Sequence, residues 1–267
     1  MTALTDSIRV LRHATAFAVT ELGAIYTWRS WAFGWVLRVI TQIIFYALIG
    51  ILLDDPNLVQ FLLIGNVALI AASTAMFAIP STQWERYAGT LPLLVAAPSR
   101  VMLVFLGRSI EWFADGLATS VIALVVVAPI FGVSITLGQL LLVIPLLLLV
   151  IVTTYGMATF LGAIVLRKPD VRNVVSNLTI SVMAIVTGAN IPVEFFAEPI
   201  QWLAQIFPLT HGLQAIRETI AGAPWAEIGP DVALCLGVGI VWMAIAALSF
   251  ERFAEAGRKD GSIEFGD

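Results

Sequence analysis

Side chains that commonly carry out catalysis or bind metals are few in this sequence and lie far apart. There are two histidines, His13 and His211, one cysteine, Cys235, and two lysines, Lys168 and Lys259. A zinc protease would need HExxH on a helix, a serine hydrolase GxSxG, and a nucleotide-binding loop GxxxxGK[ST]. None of these patterns occurs, and neither lysine follows a glycine. We therefore expect no catalytic residue, no metal site and no ATP site in this chain.

Two groups of polar side chains instead interrupt long apolar stretches. Glu111 and Asp115 lie four residues apart, and Arg108 precedes Glu111 by three, so the three side chains are neighbours on a helix. The second group recurs near one face of a later segment, at Ser176, Thr179, Thr187 and Asn190. What these groups do depends on whether the helices that carry them lie in water or in a membrane.

The composition indicates a membrane. Of the 267 residues, 60 % are hydrophobic and 12 % are charged, whereas an average soluble domain is about 45–50 % apolar and about 25 % charged. A soluble domain this apolar would expose much of that surface to water, but a bilayer is itself an apolar solvent. The net charge of −4 argues against a nucleic-acid partner, which would favour a basic face. The N-terminal residues lack the apolar core of a cleavable signal peptide.

Stretches without Asp, Glu, Lys or Arg predict six membrane-spanning helices, because about 20 apolar residues cross roughly 30 Å of hydrocarbon. The long uncharged stretch at residues 116–166 divides at a break over residues 131–138. We therefore predict an all-α membrane protein. Its six spans lie at about Trp35–Leu53, Phe61–Pro80, Trp112–Phe131, Gln139–Leu166, Asn173–Ile191 and Val232–Phe250.

The distribution of basic residues predicts the orientation. With six spans and a cytoplasmic N-terminus, thirteen of the 14 Lys and Arg residues fall on the cytoplasmic side or at the inner ends of spans. The exception is Arg217. We therefore expect a multi-pass protein of the inner (cytoplasmic) membrane with both termini in the cytoplasm.

Three segments are predicted not to cross. Residues 5–30 have the pattern of an amphipathic helix on the inner membrane surface, with Trp28, Trp31 and Trp35 marking the interface. Residues 81–100 form a cytoplasmic segment. Residues 192–230 form an outer cap of two short helices, about Ile200–Phe207 and Gly212–Ala221, which fits a re-entrant or a surface-lying hairpin.

The spans give the polar groups two possible meanings. Ionisable residues inside a membrane are candidates for function, but Arg108 and Glu111 are expected at the inner interface as a pair, so that Asp115 alone is immersed. The hydroxyl and amide groups of the fifth span either hold helices together or line a translocation path. His211 is interpreted as a hydrogen-bonded loop histidine rather than a ligand.

Three motifs resemble those of one transporter family. Residues 84–99 read WERYAGTLPLLVAAPS, residues 187–193 read TGANIPV, and residues 207–217 read FPLTHGLQAIR. In this order and topology they are similar to segments of type 2 ATP-binding cassette (ABC) export permeases, and the similarity extends over the whole chain.

The resemblance implies a single permease domain, residues 1–267, that binds no nucleotide itself. A separate ABC ATPase subunit would bind ATP and Mg²⁺ and would contact the cytoplasmic segment. Two permease subunits, expected to be identical, would pair about a two-fold axis and enclose a path for an amphipathic small molecule, a lipid or a lipid-linked glycan. The implied coupling residues are Glu85, Arg86, Gly89, Thr90 and Leu91. The predicted path residues are Ser176, Thr179, Thr187, Asn190 and Asp115, with the fifth span approaching the mate or its second span.

Two other classes of protein remain open on the sequence. A stand-alone secondary transporter would have inverted repeats and charges at mid-membrane. A membrane-embedded enzyme or scaffold would have paired acids or histidines at one depth. Neither pattern is evident in the sequence.

Overall fold

A computed structural model describes residues 27–79, 109–167 and 169–260, together with short pieces at residues 9, 12–16, 20, 104 and 107. In the three long ranges the chain forms eight helices and no strand, which confirms the all-α prediction. They are α1 Trp28–Leu52, α2 Pro56–Ala75, α3 Ile110–Ile130, α4 Leu137–Arg167, α5 Arg172–Val186, α6 Glu198–Gln205, α7 Pro208–Ala221 and α8 Trp225–Asp260.

Among the described residues, five helices are long and apolar enough to cross a membrane: α1, α2, α3, α4 and α8. The fifth predicted span differs. Helix α5 has 15 residues and ends at Val186, not at Ile191, so that it is about 22 Å long. Gly188, at φ +87°, leaves the helical conformation directly afterwards. The five residues that were predicted as helix form an irregular connection to the cap.

Local capping explains where α1 and α2 begin. Asp55 accepts hydrogen bonds from the backbone N–H groups of Asn57 and Leu58, and Pro56 occupies the first position of α2. Helix α1 begins earlier than the predicted span, at Trp28, behind a capping box formed by Thr27 and Ser30. Residues 28–30, predicted as the end of the interface helix, therefore belong to α1. Most of that interface helix, and the segment 81–100, lie outside the described residues.

The helix bundle has two ends, the tryptophan face and the cap face. The tryptophan face is the end at which α1 begins, with Trp28, Trp31 and Trp35, and the sequence predicts that it faces the cytoplasm. The cap face is the opposite end, at which α6 and α8 begin with Glu198 and Trp225.

Helix α2 forms the centre of the bundle. Fourteen of its 20 residues are buried, and it packs against α1, α3, α4 and α7. Small residues let the helices approach closely, as expected in a membrane. A Cβ on Gly116 of α3 would overlap Thr74 of α2, and one on Gly239 of α8 would overlap Thr153 of α4. Packing of this kind fixes α2 and the α4–α8 pair as the rigid part of the subunit.

Helices α6 and α7 form a hairpin that enters the bundle from the cap face. Trp242 Nε1 donates to the carbonyl of Ile206, at the turn of the hairpin, over 2.8 Å. Trp242 lies 17 residues after the start of α8, which corresponds to about 25 Å along the helix. Halfway along the hairpin, Gly212 packs against Val150 of α4 and Cys235 of α8. The cap is therefore re-entrant, which is one of the two predicted arrangements, and α7 is buried in protein.

Side chains satisfy the backbone at the buried turn of this hairpin. Thr210 donates to the carbonyl of Ala204 over 2.6 Å, and His211 Nε2 lies 3.1 Å from the carbonyl of Gln205. His211 is buried within helix α7 rather than in a loop, which corrects its predicted location. The carbonyl of Ala204 also accepts from the backbone N–H of Phe207, so that His211 is the more important partner, at the carbonyl of Gln205. A carbonyl without any partner in hydrocarbon would cost several kcal/mol.

The topology predicts which introduced cysteines react from each side. Glu198 and Glu227 are exposed at the cap face, while Arg29 is exposed at the tryptophan face. We expect Glu198→Cys and Glu227→Cys to react with a membrane-impermeant maleimide on intact cells, and Arg29→Cys to react only after permeabilisation. The native Cys235 is buried and provides an unreactive background. Labelling of Arg29→Cys on intact cells would overturn the predicted orientation.

Candidate functional site

A pocket of about 350 Å³ lies between α1, α2 and α5 near the tryptophan face. Each of the three helices contributes polar side chains to it. Those of α1 and α5 include residues three or four apart, which share one face of a helix, whereas α2 contributes the consecutive residues Ser73 and Thr74. Its described lining consists of Trp35, Arg38, Gln42, Leu69, Ile70, Ser73, Thr74, Met76, Phe77, Asn173, Ser176, Asn177 and Ile180.

Aromatic rings form the apolar part of the pocket. The rings of Trp35 and Phe77 meet edge to face with centroids 5.4 Å apart, and Phe77 also packs against Trp112 of α3 at 5.1 Å. The guanidinium of Arg38 lies over the Trp35 ring, 4.5 Å from its centroid. The pocket thus combines an aromatic surface with a cation and several amide and hydroxyl groups, which is a lining for an amphipathic molecule.

Ser176 is the predicted path residue that the structure places in this pocket. Its buried hydroxyl has no hydrogen-bond partner among the described residues. The hydroxyls of Ser73 and Thr74, by contrast, donate to carbonyls of their own helix, Ile70 and Ala71. A ligand that reaches this buried hydroxyl would form a hydrogen bond to it without breaking an internal one.

Asp115 lies elsewhere, between α1 and α3. One carboxylate oxygen accepts a hydrogen bond from Trp31 Nε1, and the other has no partner among the described residues. Trp31 belongs to a wide π-helical stretch, Trp31–Val36, within α1. Asp115 therefore joins two helices and is not part of the described lining of the pocket. The expected pair of Arg108 and Glu111 stays a prediction, because Arg108 lies outside the described residues.

Thr187 and Asn190 lie at the opposite end of α5 and bind backbone there. Thr187 donates to the carbonyl of Met183 over 2.6 Å, and Asn190 Nδ2 donates to the carbonyl of Ala184 over 3.0 Å. The carbonyl of Met183 also accepts a hydrogen bond from the backbone N–H of Thr187, so that Asn190 supplies the added donor at Ala184, in the last turn of α5. Thr179 lies between the two groups on α5 and is not among the lining residues of the pocket.

The segment after α5 contacts α2 of the same chain. Asn66 Nδ2 donates to Asn190 Oδ1 over 2.9 Å, and a Cβ on Gly65 would overlap the carbonyl oxygen of Ala189. This contact is made within the subunit. The approach of the fifth span to a mate, or to the second span of that mate, stays a prediction. The predicted path residues therefore fall into separate regions, with Ser176 in the pocket and Thr187 and Asn190 at this junction.

Arg217 of α7 also holds the junction between α2 and the segment after α5, a role that was not predicted from the sequence. Its Nη2 donates to the carbonyls of Gly188, at 2.8 Å, and Phe61, at 3.2 Å, and its guanidinium lies 3.8 Å from the Phe61 ring centroid. A signal was present, because Arg217 is the basic residue that departs from the predicted charge asymmetry.

The remaining predicted residues lie beyond what the structure describes. Glu85, Arg86, Gly89, Thr90 and Leu91 all fall in the segment 80–103. Among the described residues, no group of three or more His, Cys, Asp or Glu is placed to hold a metal ion.

Replacement of Arg217 by glutamine should destabilise the subunit. The change leaves two carbonyls without their charged donor, and a hydrogen bond to a charged group contributes about 1.5–3 kcal/mol. Because Cys235 is buried beside α7, its reaction with a thiol-reactive fluorophore on heating reports unfolding. We expect a lower midpoint for Arg217→Gln and an unchanged midpoint for the exposed control Arg29→Gln. Equal midpoints for Arg217→Gln and the wild type would show that Arg217 does not hold the junction.

The comparison with known protein families agrees with this architecture. The sequence matches the model of the family described as ABC-2 family transporter protein over residues 57–248, from α2 into α8. No curated protein matches the chain. The match covers well over half of the sequence and includes the pocket-lining parts of α2 and α5, the junction and the re-entrant cap. The chain therefore belongs to the ABC-2 family of transporter proteins and is the membrane-spanning permease subunit of an ABC transporter.

Proposed function

We propose that this permease exports an amphipathic molecule from the cytoplasmic side of the membrane, and that the pocket at the tryptophan face receives it. The observation that carries the proposal is the lining of that pocket. It brings the rings of Trp35 and Phe77 together with polar groups from three helices. A molecule with an apolar body and a polar head can satisfy both surfaces at once, whereas a purely polar solute would leave the rings in contact with water.

Support for a dimer comes from the outward surface of α5. Val174 and Leu178 are 62 % and 60 % exposed, and the polar residues Asn173, Asn177 and Ser181 are exposed beside them. Amide and hydroxyl groups facing hydrocarbon without partners are unfavourable. A second copy of the permease beside α5 would cover these groups and close the pocket into a path between subunits, about a two-fold axis.

The junction at the cap face is a suitable outer gate for such a path. It is irregular backbone, held by Arg217, Asn66 and Asn190 rather than by a continuous helix. Non-helical backbone at membrane depth is tolerated where it is buried in protein or lines a water-filled cavity. We propose that export requires this junction to separate from α2, so that the substrate passes beneath the cap formed by α6 and α7.

Energy for the cycle would come from the ABC ATPase subunit that the family implies. We propose that the cytoplasmic segment 81–100 transmits the movement, through Glu85, Arg86, Gly89, Thr90 and Leu91. A short helix with an apolar face and a few charged contacts is suited to a groove on a partner. A second permease subunit would complete the assembly, and membrane lipids would surround it.

Filling the pocket tests the proposed path. The permease and its ATPase subunit would be reconstituted into liposomes, and ATP-dependent movement of the dye Hoechst 33342 and of a fluorescent phospholipid would be measured. We expect Ser176→Phe to reduce transport at least tenfold, because the ring occupies space in a pocket of about 350 Å³. The matched control is Ser134→Phe, at an exposed position between α3 and α4. Full transport by Ser176→Phe would place the path elsewhere.

Replacing Glu85 and Gly89 together tests the coupling segment. We expect the double variant Glu85→Ala, Gly89→Leu to insert normally, with Cys235 still unreactive, but to lose substrate-stimulated ATP hydrolysis. The reason is that the segment would no longer follow the movement of the ATPase. Stimulated hydrolysis at the wild-type rate would contradict the assignment of residues 81–100.

A further inference from the structure

The described lining of the pocket carries a positive charge and no negative one. Among its described lining residues, the ionisable side chain is Arg38, and no Asp or Glu is present. The remaining polar groups are the amides of Gln42, Asn173 and Asn177 and hydroxyls such as that of Ser176. A pocket with one cation and no carboxylate attracts anions and disfavours cations.

Among the residues that the structure describes, Arg38 has no carboxylate partner. Its described contact is with the ring of Trp35, and no Asp or Glu of the described residues forms an ion pair with it. It lies 14 residues before the end of α1 at Leu52, about 21 Å from the cap-face end of the helix, and thus within roughly 30 Å of hydrocarbon. Charged residues at such positions usually face a cavity or a partner and mark substrate pathways.

Helix α5 adds to the positive electrostatic potential of the pocket. It begins at Arg172, so that the pocket residues Asn173, Ser176 and Asn177 all lie in its first two turns. The amino end of a helix carries a partial positive charge, here without a side-chain cap. The unpartnered hydroxyl of Ser176 provides a donor at the same end. Three independent features, a guanidinium, a helix terminus and a free hydroxyl, thus favour a negatively charged group.

We infer that the pocket selects amphipathic molecules whose polar head is a phosphate or carboxylate, and that Arg38 recognises that charge. The apolar part of the molecule lies against Trp35, Phe77 and Ile180, and the head accepts hydrogen bonds from Arg38 and Ser176. The inference rests on the proposed function only for the statement that the bound molecule is a transport substrate, since binding itself can be measured without transport.

Equilibrium binding to the complete permease–ATPase complex, in nanodiscs of phosphatidylcholine, tests the inference. The radiolabelled probes share one alkyl chain and differ in the head: dodecyl phosphate, dodecyltrimethylammonium and dodecyl maltoside. We expect dodecyl phosphate to bind more tightly than the cationic probe by about tenfold or more, as a hydrogen bond to a charged group implies. Inorganic phosphate should compete poorly, because it lacks the apolar chain; competition equal to that of dodecyl phosphate would show an ion site instead and would overturn the inference.

Arg38→Gln should remove the preference for dodecyl phosphate and leave dodecyl maltoside binding within twofold, while Arg38→Lys should retain part of the preference. The matched control is Arg29→Gln, since Arg29 lies on the same helix over Trp28, at 5.4 Å, but outside the described lining of the pocket. Unreactive Cys235 confirms that each variant is folded. A preserved preference in Arg38→Gln overturns the inference. An equal loss in Arg29→Gln does so too, because it indicates attraction to the membrane surface.

Transport measured on the same preparation separates the inference from the proposed function. Selective binding of dodecyl phosphate without ATP-dependent export would support the site and refute its place on an export path. ATP-dependent export of Hoechst 33342, which is cationic, with no selective binding of dodecyl phosphate, would support the function and overturn the charge selectivity.

Discussion

The requirement that every backbone polar group inside a bilayer find a partner governs this structure. Long helices meet it by themselves, but the region between α5 and α8 contains two chain reversals within the bundle. There, side chains replace the missing helical hydrogen bonds. Trp242, Thr210 and His211 serve the turn between α6 and α7, and Arg217 serves the carbonyl of Gly188 after α5. The cap can enter the membrane because these few residues satisfy its backbone.

The same requirement separates two kinds of polar residue on α5. Thr187 and Asn190 donate hydrogen bonds to the carbonyls of Met183 and Ala184 at the end of the helix, and Asn190 also joins this end to α2. Ser176, near the other end of α5, forms no hydrogen bond with the described residues. Residues of similar chemistry on one helix thus differ in function according to whether an internal carbonyl is within reach, and the available groups are those that can bind a ligand.

Which polar residues of α5 form internal hydrogen bonds could not be predicted from the sequence, whereas local features could. Composition and uncharged stretches predicted the all-α membrane fold, and prolines such as Pro208 predicted a break in the cap, because these signals are local. The end of α5 was predicted five residues too late, since hydropathy does not register the left-handed Gly188 or the capping by Asn190. The pocket was not predictable, because it depends on how α1, α2 and α5 pack. Ser176 was identified by its residue type, and Arg38 was counted only among the basic residues at the inner ends of spans.

Helix α5 connects the pocket at one end of the proposed path with the junction at the other end, and it is loosely packed. Helix α2 is fixed by burial along most of its length, whereas α5 has an exposed outward face and contacts α2, α4 and α6 only sparsely. Elements that move are drawn from the less densely packed parts of a structure. In the proposed export cycle, a displacement of this 15-residue helix at Asn173 and Ser176 would reach Gly188 at its other end. The guanidinium of Arg217, which binds the carbonyls of Gly188 and Phe61, would then resist opening of the cap face.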